Sequence, residues 1–193
     1  DAHCALLAEK WLGKAKKLND FLMLTIGTGL GGAAFCNGAL IRGGRNRAGE
    51  FGCLLTSRPT GGNIERHTMS QSCTMTALRE NYSQLIEKPA DDVSGKDVFD
   101  AYDRNEDAAQ QVVNKFYADL AACLYNLFSV FDPQRVFIGG GITEREPFLK
   151  ELGEQLAKYD PDIRIDAATY GNDSGMLGTA WNYLQRQPAG NKT

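Results

Sequence analysis

An α/β lobe, a sheet packed with helices, is the fold class that this 193-residue sequence predicts. Three observations predict it. Two runs of strand length, Phe21-Leu22-Met23-Leu24-Thr25-Ile26 and Arg135-Val136-Phe137-Ile138, each stop at a cluster of glycines. Between and around them lie segments with apolar residues at helical spacing, above all 106–131, where Val112, Val113, Phe116, Leu120, Cys123, Leu124, Leu127 and Phe128 form a stripe. A hydrophobic content of 42% is enough to bury one good core. Strands that alternate with helices build a layered α/β unit.

Each element has its own signal. Residues 2–12 read as a helix, with Ala5, Leu6, Trp11 and Leu12 at apolar spacing and Asp1 placed to cap the first amides. The run 21–26 is a strand, broken by the glycines after it. A second strand resumes at 33–36, and Asn37-Gly38 is a two-residue turn of type I′ character into a third at 39–41. Residues 42–68 are rich in Gly, Arg, Asn and Thr, with Pro59 and Gly61-Gly62, and read as irregular loops. Ser70 caps a helix to about Glu87, and 89–95 is a polar linker. A brief helix covers 96–102 and a long one 106–131, which Pro133 ends. The strand 135–138 runs into Gly139-Gly140-Gly141. A helix at 146–159, a strand at 163–165 and a last helix at 174–185 complete the chain. There is no internal repeat and no low-complexity segment.

Composition narrows the function classes. The net charge is −3 and the pI near 5.4, with no Lys/Arg run of nucleic-acid type, so small molecules are the expected partners. No apolar stretch approaches the roughly 20 residues that span a bilayer, and no signal-peptide pattern opens the chain. Five scattered cysteines, Cys4, Cys36, Cys53, Cys73 and Cys123, fit reduced thiols in a cytoplasm better than a disulfide framework. The chain opens on Asp1 without an initiator Met and reads as a fragment.

Two glycine-rich loops carry the candidate chemistry. Gly27-Thr28-Gly29-Leu30-Gly31-Gly32 leaves amides uncovered by side chains, and glycine tolerates the positive φ values that aim successive N–H groups at one phosphate. Taken alone, the hexamer reads equally well as a plain glycine hairpin. It is no Walker loop, for no Gly-Lys-Ser/Thr follows, and no Rossmann fingerprint, for a strand follows rather than a helix. Gly139-Gly140-Gly141 ends a buried strand, where open α/β sheets bind ligands; bare backbone there lets an adenine or ribose come close. On its own it is as readily a tight turn.

Together these residues resemble the ROK family of repressors, open reading frames and sugar kinases. The resemblance runs through Gly27 to Gly32, the Asn37-Gly38 hairpin, Arg42-Gly43 and Ala48-Gly49-Glu50-Phe51-Gly52, then through Val136-Phe137-Ile138-Gly139-Gly140-Gly141-Ile142 and Gly171-Asn172-Asp173-Ser174-Gly175-Met176-Leu177-Gly178. It implies the C-terminal lobe of an actin-like ATPase or ribonuclease H-like sugar kinase with a mixed sheet, whose last helix packs toward the N-terminal lobe. It also implies ATP, Mg²⁺ and a sugar as ligands, and a homodimer. Gly27, Thr28, Gly29, Gly31, Gly32, Gly139, Gly140 and Gly141 would then hold the nucleotide. Asp1-Ala2-His3-Cys4-Ala5 is similar to the family's Asn-Asp-Ala-Asn segment, which gives Asp1 the role of catalytic base; outside that frame it is an ordinary helix cap. Glu50 falls on a sugar-binding Glu, a carboxylate able to accept from two hydroxyls, and Glu80 on a second one.

The sequence also departs from the family pattern. A zinc site there needs one His and three Cys; this chain has Cys53, Gln71, Cys73 and Leu78 at those positions, so zinc is not expected. Ser70 to Leu78 resembles a zinc-free subset that includes bacterial β-glucoside kinases. Cys53 in place of the His next to the sugar leaves room for an aglycone. The first phosphate loop of the family does not occur in these residues, from which the chain alone is expected to have no kinase activity. A sugar-responsive transcriptional regulator of the same family and an inactive binding module remain the competing readings.

Overall fold

The computed structural model describes residues 2–59 and 61–186. The strands are β1 (Phe21–Ile26), β2 (Leu30–Cys36), β3 (Ala39–Leu40), β4 (Arg135–Gly139) and β5 (Ile165–Ala167). They form one mixed sheet in the order β3-β2-β1-β4-β5, with β1 antiparallel to β2 and parallel to β4. The helices are α1 (Ala2–Trp11), α2 (Met69–Ser72), α3 (Met75–Leu85), α4 (Gly95–Asp103), α5 (Asp107–Phe131), α6 (Phe148–Leu156) and α7 (Ser174–Arg186).

The continuous apolar run of β1 has a simple cause, because both faces of the sheet are covered. Leu22, Leu24 and Ile26 point to one side, into a core with Val136, Ile138 and the apolar stripe of α5. Phe21 and Met23 point to the other, onto Ala5 and Leu6 of α1 with Phe35 and Phe137. Helix α7 closes that second side by packing on α1. Gly178 makes the contact possible: a Cβ there would sit 2.1 Å from the Cys4 carbonyl oxygen. The buried carboxylate of Glu9 ties α1 to the segment after β5, accepting from the Lys14 amide (2.9 Å), the Thr169 hydroxyl (3.0 Å) and the Thr169 amide.

Helices α4, α5 and α6 meet at Arg145. Its guanidinium bonds Glu151 (2.5 Å) and Asp103 (2.6 Å) and lies over the Phe99 ring. Glu151 also accepts from the Tyr117 hydroxyl at 2.6 Å, and burial pushes the Tyr117 phenol up from its ordinary value.

Several boundaries differ from the sequence expectation. Strand β2 begins at Leu30, not at 33, because Gly31 and Gly32 pair with Thr25 and Leu24 in the ladder. Phe51 lies where a Gly32 side chain would stand, 2.3 Å from its Cβ position, so tertiary packing fills what glycine leaves empty. The cap of α3 is Thr74, which accepts from the Ala77 amide at 3.1 Å; Ser70 lies within the four-residue α2. Strand β5 covers Ile165–Ala167 rather than 163–165, since Ile163 closes a turn onto Asp160 and Asp166 pairs with Arg135 of β4. The Asn37-Gly38 turn has φ of 51° and 76°, as its type I′ reading requires. All five cysteines are free thiols, and no helix among the described residues is long and apolar enough to cross a membrane.

Candidate functional site

Strands β1 and β4 run parallel, so their carboxyl ends open on the same edge of the sheet, the place where α/β sheets bind ligands. The chain connects β1 to β2 there through residues 27–29. The Gly27 amide bonds the Gly29 carbonyl (3.0 Å), and the Gly27 carbonyl accepts from the Met75 amide at the start of α3 (2.9 Å). The amides of Thr28 and Gly29 have no partner among the described residues. Both residues are exposed, and a Cβ on Gly27 or Gly29 would meet nothing within 4 Å.

These glycines do not use positive φ, contrary to the sequence expectation: none of Gly27, Gly29, Gly31 and Gly32 is left-handed. Their role is spatial. Gly31 and Gly32 admit close neighbours, a Cβ at Gly31 standing 2.7 Å from the Thr25 hydroxyl, while Gly27 and Gly29 keep the rim bare. Left-handed backbone occurs instead at Gly140, with φ of 101°, where a Cβ would lie 2.1 Å from the Ile26 carbonyl oxygen. There the β4 turn is pressed against the end of β1.

Strand direction also brings Glu50 to this edge. β3 is antiparallel to β2 and so returns toward the end of β1, and the chain after it brings Gly49 and Glu50 beside the glycine segment. Gly49, with φ of 89°, packs on Ala33 and sets the bend into the 3₁₀ turn Phe51–Cys53.

The product is an open cleft of about 530 Å³. Gly27, Thr28, Gly29, Gly31, Gly32, Glu50 and Gly140 all line it. Ala2 and His3 of α1, Thr25 and Ile26 of β1 and Leu30 of β2 complete the wall. Neither His3 nor Thr25 was singled out from sequence; the signals were a His directly after the Asp1-Ala2 pair and one hydroxyl near the end of an apolar strand. Asp1 lies outside the described residues.

The remaining expected site residues stand elsewhere. Gly139 is buried in the ladder opposite Thr25, and Gly141 is exposed beyond the turn. Cys53 is exposed on its 3₁₀ turn and Cys73 is buried, held well above the usual thiol range chiefly by its hydrogen bond with Cys123. Glu80 is exposed on α3 and does not line the cleft. A separate cavity of about 350 Å³ between α3 and α5, lined in part by Arg66, Gln71, Asn81 and Gln111, holds no expected site residue.

A beta-glucoside kinase of Listeria innocua is 46% identical over 188 residues, covering 97% of this chain and 64% of that protein. The chain thus spans just under two thirds of that relative. The solved Lmo2764 protein from Listeria monocytogenes superimposes with a TM-score of 0.95 at 44% identity, over 97% of this chain and 65% of the other. A ROK family glucokinase from Streptomyces griseus, solved with glucose and AMPPNP, gives 0.75 at 25% identity over 93% and 65%. The family described as ROK matches residues 1–186, and the chain belongs to the ROK family.

Proposed function

We propose that the chain is the sugar- and nucleotide-binding part of an ATP-dependent kinase that phosphorylates a hydroxyl, at O6, of a hexose or β-glucoside. The observation that carries this reading is the meeting of the unpartnered Thr28 and Gly29 amides, Glu50 and Gly140 on one cleft. Free backbone N–H groups suit phosphate oxygens, and the Glu50 carboxylate can accept from two sugar hydroxyls at once. The names of the relatives, a beta-glucoside kinase and a glucokinase solved with glucose and AMPPNP, support the same ligands.

In this reading the sugar oxygen attacks the γ-phosphorus in line, its proton passes to the Asp1 carboxylate, and ADP leaves. The position of Ala2 and His3 on the cleft wall supports that role for Asp1. Among the described residues no three His, Cys, Asp or Glu gather as a metal cluster. Mg²⁺ suits a site with few protein ligands when phosphates supply the rest, and when bound with the nucleotide it would neutralise charge on the transferred group. Gly140 and Gly141 accept the adenosine side. Cytoplasmic residence and a homodimer belong to the same proposal, and sedimentation velocity tests the second. The 193 residues alone bind both ligands without turnover, because catalysis in a two-lobed clamp needs closure that excludes water.

The test is a coupled ADP-release assay on a protein of the relatives' full length that contains this chain. Phosphorylation of cellobiose and glucose is expected, with Glu50→Gln raising the sugar KM at least tenfold and the ATP KM less than twofold. ATP-independent behaviour with every sugar, alongside intact sugar binding, would instead support a regulator.

A further inference from the structure

Glu50 borders a second cavity besides the glycine cleft. This pocket, about 330 Å³, is at the lower end of the range of small-molecule sites. One wall is the turn carrying Phe51 and Leu54; the other is the last part of α5, where Leu127, Val130 and Phe131 share a helical face. Phe51 and Phe131 both line the pocket, and their rings meet edge-on at 5.8 Å. Polar character is confined to Glu50, Arg47 and Asn126.

We propose that this pocket receives the aglycone of a β-glucoside whose sugar ring is held in the glycine cleft, which makes Leu54 and Val130 specificity-determining residues. The inference rests on the function proposed above and deepens it. The physical argument is adjacency combined with contrast. Glu50, whose carboxylate is suited to sugar hydroxyls, lines both a cleft walled largely by bare glycine backbone and a pocket walled by aliphatic and aromatic side chains. An unsubstituted hexose held in the cleft carries only a hydroxyl on its anomeric carbon and would leave the pocket's apolar surface wet. An aryl or alkyl group on the same carbon buries that surface, and flat rings match the Phe51 and Phe131 pair. Leu54 is 38% exposed and Val130 74% exposed, so both have apolar surface left for a ligand to cover.

The experiment is calorimetric titration of the protein with phenyl β-D-glucoside, methyl β-D-glucoside and glucose, in the parent, Leu54→Asp, Val130→Asp and Ile64→Asp forms. Ile64 is equally surface-placed, 60% exposed, and does not line the pocket. Phenyl glucoside is expected to bind at least tenfold more tightly than methyl glucoside. That ratio should fall to within twofold in the Leu54 and Val130 variants and persist in Ile64→Asp. If methyl glucoside and glucose bind but the phenyl group adds nothing, the pocket assignment is wrong while the function stands. If none of the three sugars binds, both fail. If Val130→Asp turns a dimer into a monomer and leaves the ratio intact, the pocket is a contact between two copies and the assignment is overturned.

Discussion

At Gly140 the chain demands a residue without a side chain twice over, through a φ of 101° and through the Ile26 carbonyl only 2.1 Å from any Cβ. A backbone at φ of 101° and ψ of 164° is essentially confined to glycine and costs an ordinary residue about 1–3 kcal/mol, and overpacking adds about 1–3 kcal/mol. Gly140→Ala should therefore lose at least about 2 kcal/mol by these two effects, read from urea unfolding; a midpoint equal to that of the parent would disprove the argument. Gly29 is the opposite case, since its Cβ would meet nothing. Gly29→Asp should leave the unliganded melting temperature unchanged and abolish the rise produced by AMPPNP, because a fixed negative charge repels phosphate. Both glycines were legible from sequence as loop residues. Which one serves conformation and which one serves access was not, since the answer depends on what the fold brings beside each.

Among the elements, α7 comes closest to α1 at Gly178. Gly178 faces the backbone of Cys4 on α1, and an alanine methyl would have to push the two helices apart. Gly178→Ala is expected to cost about 1–3 kcal/mol in urea unfolding, with a loss below a few tenths sinking the claim. Helix α4 gives a pH-dependent counterpart. Ser94 and Asp97 form a capping box, and hydrogen bonds from the Ser94 side chain, then its backbone, hold the Asp97 carboxyl below its ordinary 3.8. A carboxyl lowered on folding stabilises above the unfolded value and loses that contribution as pH falls through the folded one. Asp97→Ala should thus be less stable than the parent at neutral pH, the difference closing below about pH 3.8. A gap that stays constant to pH 2 would rule out the ionised cap. The long helix α5 was readable from apolar spacing, while the expected helix from Ser70 to about Glu87 is split into α2 and α3 by the Thr74 cap and the bond of the Met75 amide to the Gly27 carbonyl, and β5 is set by its ladder with β4.

For the molecule as a whole, ligand linkage is the accessible measurement. A ligand at a hundred times its Kd stabilises the folded state by about 2.7 kcal/mol, so AMPPNP and a β-glucoside together should raise the melting temperature by several degrees, and an absent shift with both would count against the cleft as their site. The sequence by itself determined the α/β class, the helical stripe of α5, the hairpin at Asn37-Gly38 and the family resemblance, because these rest on local periodicity, turn stereochemistry and contiguous motifs. It also named most of the cleft, since Gly27 to Gly32, Glu50 and Gly140 lie within those motifs. Only the tertiary structure decided that His3 and Thr25 join them, that Glu80 and Cys53 stand apart, and that Glu50 lines both a polar cleft and an apolar pocket. The reason is strand direction: β1 and β4 end together and β3 returns to the same edge, so residues far apart in sequence become neighbours through the ladder, a long-range pairing that no local pattern encodes.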